Sequence, residues 1–468
     1  MLARFEYKQL VAAVYMVSLF MQIIDSTIVN VAIPTLAKEF DVTKTSASWT
    51  VLSFVVALSA AIPAAGWLGD RFGLKTVFVW SMIGFTVASL LCGLSQNLEQ
   101  LVISRALQGL FSGFITPVGA ALLFKAFPLA ERADASRKII TVVVIAPALG
   151  PVLGGVIIDA LDWRWIFFVN IPIGLLAIWL SMTALIEDRH PDPSRLDIAG
   201  LVLSAVGLGT LVFGISQGSD FGWSSTAVVV SLVTAAVSLV LLIIVELRSA
   251  HPLLDLRLYR DRIFRSISIA SLPIYAGFVS LLFLLPLFLD TAGYSPTQIG
   301  LALLPQPIGV MLASQLAGRY LYHRFGPRTL MFAGSIAAAI VSMVIASLEL
   351  SSSIWTVRTL MFGRGLAMGV IFISVQAAVY AQTSPPDTGR ATALFSTTRQ
   401  FAPALGVAIV ATVLASSIAT PTGESTDLAV LESGYQTAMV WSALMFVVAV
   451  VGTLLVHNRD AAETMRST

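Results

Sequence analysis

Apolar residues in this chain run in long unbroken blocks, instead of recurring every two or every three to four positions as in half-buried strands and helices. A helix needs about 20 such residues to cross a hydrocarbon layer ~30 Å thick. Fourteen blocks qualify: Val11–Leu36, Ser48–Leu68, Thr76–Leu94, Leu101–Phe124, Ile139–Leu161, Ile166–Ile186, Ile198–Ile215, Ala227–Val245, Ile267–Leu289, Ile299–Tyr322, Leu330–Leu348, Trp355–Tyr380, Ala391–Ile418 and Ala438–Val456. The first follows Arg4 and Lys8, as a secretory leader's core would. It exceeds the roughly 7–15 residues of such a core and no small-x-small site follows, so it is read as a span. The pattern predicts an all-α membrane protein of fourteen transmembrane helices.

Basic residues cluster at every second junction. Arg71 and Lys75 follow span 2, Lys125, Arg132, Arg137 and Lys138 follow span 4, and Arg189 and Arg195 follow span 6. Arg248, Arg257, Arg260, Arg262 and Arg265 follow span 8, Arg324 and Arg328 follow span 10, and Arg390 follows span 12. The intervening junctions hold only Lys38, Lys44 and Arg164. Short cytoplasmic loops retain positive charge, so both termini are placed in the cytoplasm, which requires an even number of spans.

The chain also echoes itself. Asp70-Arg71-Phe72-Gly73-Leu74-Lys75 recurs as His323-Arg324-Phe325-Gly326-Pro327-Arg328, at an offset of 324 − 71 = 253. Arg105, four residues before Gly109, is matched with Arg364, five before Gly369, at 364 − 105 = 259. Ala146-Pro147-Ala148-Leu149-Gly150 recurs as Ala402-Pro403-Ala404-Leu405-Gly406, at 402 − 146 = 256. Each pair falls on one side of the membrane, which predicts two parallel six-helix repeats with spans 7 and 8 inserted. The expected domains are 1–190, 191–262 and 263–468.

Composition narrows the function. The 468 residues are 57% hydrophobic and 12% charged, with net charge +2, whereas soluble domains carry about 25% charged residues. Mean hydropathy is +0.88. The lipid bilayer is the expected surrounding, and no basic face exists for nucleic acid. The single cysteine, Cys92, sits in an apolar block and is read as packing. His190, His251, His323 and His457 lie between or after the blocks with no metal-ligand spacing. Neither a metal site nor an intramembrane enzyme is expected, and without a Gly-rich Lys-Ser/Thr motif for ATP the energy source is read as an ion gradient.

Asp25 is the main candidate for chemistry. It lies roughly 14 residues, ~21 Å, from the cytoplasmic end of span 1, where an acid marks an ion path or a buried pair. Arg105 in span 4 lies at a similar depth and is its expected partner. Gln22, Asn30, Gln306, Gln315, Arg364, Gln376, Arg399 and Gln400 are candidate cavity residues, with Phe20, Tyr275 and Phe372 as walls. No second buried acid is expected, since Asp290 and Glu349 close spans 9 and 11.

Several segments carry a resemblance. They are Ile24-Asp25-Ser26-Thr27-Ile28-Val29-Asn30-Val31-Ala32-Ile33-Pro34, Gly66-Trp67-Leu68-Gly69-Asp70-Arg71-Phe72-Gly73-Leu74-Lys75 and Arg105-Ala106-Leu107-Gln108-Gly109. To these add Gly150-Pro151-Val152-Leu153-Gly154-Gly155 and Trp163-Arg164-Trp165-Ile166-Phe167-Phe168-Val169-Asn170-Ile171-Pro172. Over essentially its whole length the chain resembles the major facilitator superfamily, and within it the fourteen-helix drug:proton antiporter branch. The resemblance implies a multi-pass inner-membrane monomer that exports hydrophobic small molecules in exchange for protons by alternating access, without a cofactor. Export of a single endogenous metabolite, lipid or antibiotic is the alternative. The resemblance also implies proton coupling through Asp25, Arg105 and Gln108, gating by the loop bearing Gly66, Asp70, Arg71, Gly73 and Lys75, and antiport character in Gly150, Pro151, Gly154 and Gly155. His323 departs from the loop pattern, so the second copy is expected to act differently.

Overall fold

The computed structural model of the chain describes residues 6–42, 44–128, 131–187, 197–249, 252–294, 296–384, 387–418 and 428–465. Arg4, Arg189, His190, Arg195 and His251 lie outside the described residues, as does the side chain of Pro151. Among the described residues there are helices and no strand. In chain order the helices begin with α1 (Tyr7–Glu39), α2 (Lys44–Ala61), α3 (Ala65–Phe72), α4 (Leu74–Gly93), α5 (Leu98–Ala126) and α6 (Arg132–Ala160). Then come α7 (Trp165–Phe168), α8 (Asn170–Ala184), α9 (Ile198–Phe221), α10 (Thr226–Arg248) and α11 (Arg262–Thr291). The last are α12 (Pro296–Leu303), α13 (Pro305–Leu316), α14 (Tyr322–Ala346), α15 (Ile354–Ala378), α16 (Thr388–Ile418) and α17 (Leu428–Thr453).

Helices suit this chain because hydrocarbon offers backbone groups no partner, and a helix satisfies its own. Several of their starts are fixed by short polar side chains that accept from orphan N–H groups. Asn97 accepts from Gln100 N at 2.9 Å, Asp197 from Gly200 N at 2.7 Å and Asp261 from Ile263 N at 2.9 Å. Twelve described helical stretches are long and apolar enough to cross a membrane. One of them, Gln298–Ala346, has 49 residues, or ~73 Å at 1.5 Å per residue. It holds two crossings, broken at Gly326, whose φ is 75°. With α6, 29 residues long and apolar from Ile139 onward, fourteen crossings are accommodated.

The chain divides into two units. Unit 1 comprises Met1–Pro128, Thr141–Leu258 and Thr383–Thr397; unit 2 comprises Leu129–Ile140, Tyr259–Gln382 and Thr398–Thr468. In unit 1, α5 packs on α2 and α4, α8 packs on α4 and α1, and α9, paired with α10, packs on α2. In unit 2, α15 packs on α13 and α14, and α17 packs on α14 and α11. The order of neighbours repeats, with α15 in the place of α5, α13 in that of α2 and α14 in that of α4.

Glycine contacts fix the register of this repeat. A Cβ on Gly109 would lie 2.2 Å from the Phe54 carbonyl oxygen, and one on Gly113 would lie 2.6 Å from that of Leu58. In unit 2 a Cβ on Gly365 would lie 2.2 Å from the Gln306 oxygen, and one on Gly369 would lie 2.4 Å from that of Val310. Only glycine allows α5 and α2, or α15 and α13, to approach so closely. The matching glycines are offset by 256 (365 − 109 and 369 − 113), the offset of the Ala-Pro-Ala-Leu-Gly motif. Arg364 is therefore the mate of Gln108, not of Arg105, because the matching at 259 had chosen a glycine one turn too far along. The carbonyls they touch are offset by 252 (306 − 54 and 310 − 58), yet the following loop motif is offset by 253. The extra residue is taken up in Ala317–Leu321, which is π-helical; a π turn holds one more residue than an α turn.

Candidate functional site

Six elements of unit 1 converge on Asp25. Its Oδ2 accepts from Arg105 Nη1 at 2.7 Å, and its Oδ1 accepts from Gln108 Nε2 at 2.9 Å and from Asn170 Nδ2 at 2.6 Å. Both charged side chains are fully buried. Arg105 is held in turn: Nε donates to the Thr50 carbonyl at 3.1 Å, Nη1 also donates to Gln108 Oε1 at 2.7 Å, and the Phe54 ring lies 4.2 Å from Cζ. The close approach at Gly109 is what brings Thr50 and Phe54 within reach. Asn170 also donates to Ser89 Oγ at 3.0 Å, and Ser89 donates to the Phe167 carbonyl at 3.0 Å. A buried ion pair persists only where its remaining lone pairs and protons are satisfied, and Gln108 and Asn170 supply that for the carboxylate. Arg105 Nη2 is the exception, with no hydrogen bond among the described residues.

The loop after α3 is built differently. Gly73 has φ 90°, closed to side chains, and a Cβ there would meet Glu187 Oε1 at 2.1 Å. Glu187 Oε2 accepts from Thr76 N at 3.0 Å and from the Thr76 hydroxyl, capping the start of α4. Lys75 Nζ donates to the carbonyls of Met182 at 2.9 Å and Leu185 at 2.6 Å, a cation at the C-terminal end of α8. Asp70 accepts from Arg390 Nε at 2.7 Å, which sets the acid at the first turn of α16. A Cβ on Gly66 would lie 3.3 Å from Arg390 Cα, and Arg71 is exposed. In the second copy Gly326 repeats the positive φ, and Asn458 stands where Glu187 does, accepting from Arg328 N at 2.8 Å. His323, in place of the acid, faces the Met465 carbonyl from Nδ1 at 3.1 Å.

The family profile of the Major Facilitator Superfamily matches residues 15–407 and again 267–464. The chain belongs to the Major Facilitator Superfamily. The superfamily is one of transporters, so the chain is a membrane transporter and not an enzyme. This facilitator is 33% identical over 402 residues, 84% of its length and 78% of the relative's, to the multidrug export protein EmrB of Escherichia coli K12. It is 29% identical over 451 residues, 96% of its length and 94% of the relative's, to the putative multidrug resistance protein MdtD of Pectobacterium atrosepticum. The crystal structure of the human organic anion transporter MFSD10 superposes with a TM-score of 0.65, covering 96% of this chain and 100% of that one at 14% identity. That likeness concerns the fold.

Other candidates in the facilitator fall into separate places. Gly150 and Gly154 face α1: a Cβ would meet Thr27 Oγ1 at 2.0 Å from the first and Ile28 Cγ1 at 2.9 Å from the second, whereas Gly155 has nothing within 4 Å. Gln22 is buried between α1 and α5, donating to the Ser112 carbonyl at 3.2 Å and accepting from Thr116 at 3.0 Å. Asn30 is exposed and bonds back to the Ser26 and Thr27 carbonyls of its own helix. Gln376 is half-buried in α15, and Arg399 and Gln400 are half-buried in α16. Arg364 is fully buried in unit 2 and donates to Gln306 Oε1 at 3.0 Å and to the carbonyls of Gly277 at 2.8 Å and Phe278 at 3.0 Å.

Two residues escaped the sequence reading. Asn170 lay inside a quoted motif but was given no role; its signal was a lone amide between apolar residues, two positions before Pro172. Glu246 corrects the expectation of no second buried acid. It is 1% exposed near the end of α10, where a Cβ on Gly200 would lie 2.6 Å from its Oε1. It stands just past the apolar block Ala227–Val245, where an acid is ordinarily solvated.

Proposed function

We propose that this facilitator exports hydrophobic drugs or related small molecules across the cytoplasmic membrane in exchange for protons, by alternating access, with Asp25 carrying the proton. Two long relatives are named for multidrug export and resistance, which supports the cargo class. One observation carries the coupling: a fully buried carboxylate accepts three N–H bonds, one from a guanidinium and two from amides. An ionised carboxylate can only accept, whereas a protonated one has an O–H that must donate. Every group facing Asp25 is a donor, so the proton is accommodated only if Arg105 withdraws or if Gln108 or Asn170 turns its amide oxygen inward. If Gln108 turns, Arg105 loses its second acceptor as well. Proton binding thereby weakens the ties from α1 to α5 and α8, which is how protonation becomes movement.

The remaining assignments follow from this reading. Both termini are cytoplasmic, the transporter works as a monomer, and two six-helix bundles, 1–190 and 263–468, flank the inserted pair within 191–262. The loop of Gly66, Asp70, Arg71, Gly73 and Lys75 acts as a latch through Asp70 and Arg390. Gly150 and Gly154, beside Thr27 and Ile28, let α6 slide on the helix that carries Asp25. No cofactor enters, and the proton gradient supplies the energy.

The test is movement of a panel of hydrophobic dyes by proteoliposomes under an imposed pH gradient, comparing the wild type with Asp25→Asn. Gradient-driven transport that vanishes in the variant while dye binding persists supports the reading. Unchanged transport in Asp25→Asn moves the proton site elsewhere, and transport indifferent to any pH gradient ends the antiport assignment.

A further inference from the structure

Glu246 is buried where an anion finds no support. It stands two residues before the end of α10, and neither of its carboxyl oxygens makes a hydrogen bond. The backbone N–H groups of Leu253 and Leu254 approach from the segment after α10 without completing one. The charged groups that face it among the described residues are acids, Asp197 from the start of α9 and Asp255 from the segment after α10. Arg248 on its own helix and Arg257 beyond it are exposed, and Arg257 donates to the Ser249 carbonyl at 3.1 Å. The C-terminal end of a helix adds a further negative pole.

Asp197 leaves an oxygen at the same spot. Its Oδ1 caps α9 by accepting from Gly200 N, whereas its Oδ2 is buried without a partner. A Cβ on Gly200 would meet Glu246 Oε1 at 2.6 Å and Asp197 Oδ2 at 3.1 Å. The two unpaired oxygens therefore lie no more than 5.7 Å apart, the sum of those distances, beside the space that the glycine leaves open. Two ionised carboxyls so placed repel each other, and burying a charge without compensation is costly. Packing does not explain the residue, since leucine would fill the volume without that cost. A hard metal ion would cancel the charge but takes about six to eight oxygens, more than two carboxyls bring. One proton suffices: it removes a charge and turns the acid into a donor, with Asp197 Oδ2 as acceptor. Asp197, at the positive start of α9, is the better placed of the two to stay ionised.

We propose that Glu246 is a second proton-binding site of this facilitator, carrying a proton at neutral pH that it shares with Asp197 beside Gly200. Loss of that proton sets two like charges between α9 and α10 and loosens the pair. Neither α9 nor α10 is among the helices that converge on Asp25, so the assignment stands or falls separately from proton coupling at Asp25.

The test is infrared difference spectroscopy of the full chain in dodecyl maltoside, a detergent without a carbonyl group. At neutral pH the wild type and Asp25→Asn should both show the C=O stretch of a protonated carboxyl, shifted in D2O, and Glu246→Gln should lack it. Asp197→Asn keeps a capping oxygen and carries the test if the glutamine variant does not fold. It should show the band at neutral pH and lose it at a lower pH than the wild type does, because the repelling charge is gone. Melting gives a second readout. Glu246→Gln should gain on the wild type as the pH rises from about 4.3 to 7, since over that range the wild type's unfolded chain gives up a proton that its folded state keeps. A wild-type spectrum without the band, as a bound metal ion would also give, would overturn the proposal. So would a band that survives in Glu246→Gln, which would place the proton on Asp197 or elsewhere, or one that disappears in Asp25→Asn.

Discussion

Asn170 Nδ2 lies 2.6 Å from Asp25 Oδ1 although the two residues are 145 positions apart. The contact ties the first residue of α8 to the middle of α1, and the same amide reaches Ser89 of α4. Asn170→Ala removes one of three donors to a buried charge, a loss of about 1.5–3 kcal/mol for a hydrogen bond to a charged group. Thermal unfolding in detergent should show a lower midpoint, and gradient-driven transport should fall. Asn170→Asp should fare worse than alanine, since it sets a second carboxylate against the first. An alanine variant with unchanged melting and unchanged transport would remove Asn170 from the network.

Asp25 and Arg105 should not be equivalent under mutation. Arg105→Gln leaves a buried carboxylate with only amide donors, and breaking a buried pair by removing one partner costs about 3–5 kcal/mol. Asp25→Asn leaves the guanidinium its bonds to Gln108 and the Thr50 carbonyl, and asparagine can still offer it an oxygen. The melting midpoint should therefore fall further in Arg105→Gln than in Asp25→Asn. The double variant should recover most of the stability and none of the proton coupling. Equal losses in the two single variants would contradict the asymmetry.

Much of this was readable beforehand because the membrane simplifies the physics. Lipid makes each span an apolar block, and depth along a helix of known rise is enough to pair Asp25 with Arg105. Asn170 was harder to read because it is only the sixth residue of the span Trp165–Ala184, where a polar group ordinarily sits near the interface and not against a buried charge. Arg364 was matched to the wrong mate because register depends on which glycine meets which carbonyl, and composition does not record that. The π-helical turn at Ala317–Leu321 adds a one-residue shift that looks like drift in the sequence. Glu246 was missed because an acid at the edge of an apolar block is ordinarily solvated, and only the contact with α9 shows it buried.

The glycines separate packing from pattern. Gly109→Ala and Gly365→Ala each drive a Cβ to 2.2 Å from a backbone oxygen, where no side chain can turn aside. Both should reduce the yield of folded protein sharply, by overpacking costs of about 1–3 kcal/mol or more. Gly150→Ala meets the Thr27 hydroxyl at 2.0 Å, and Thr27→Ala should partly rescue it. Gly155→Ala has open space and should match wild type in yield and melting. Equal damage at Gly150 and Gly155 would show that the motif acts through something other than contact with α1.

The Asp70–Arg390 pair invites a different expectation, because its side chains are 18% and 31% exposed. Partly exposed ion pairs contribute roughly 0.2–1 kcal/mol, so Asp70→Asn and Arg390→Gln should barely move the melting midpoint. If the pair is a latch, transport should fall far more than stability, because what is lost is the bias between two conformations. The swapped variant Asp70→Arg with Arg390→Asp should stay low: an arginine at 70 would face the first turn of α16, where the helix dipole favours an acid. Full recovery by the swap would reduce the contact to simple charge pairing, and a melting loss comparable to that of Arg105→Gln would make it a structural brace.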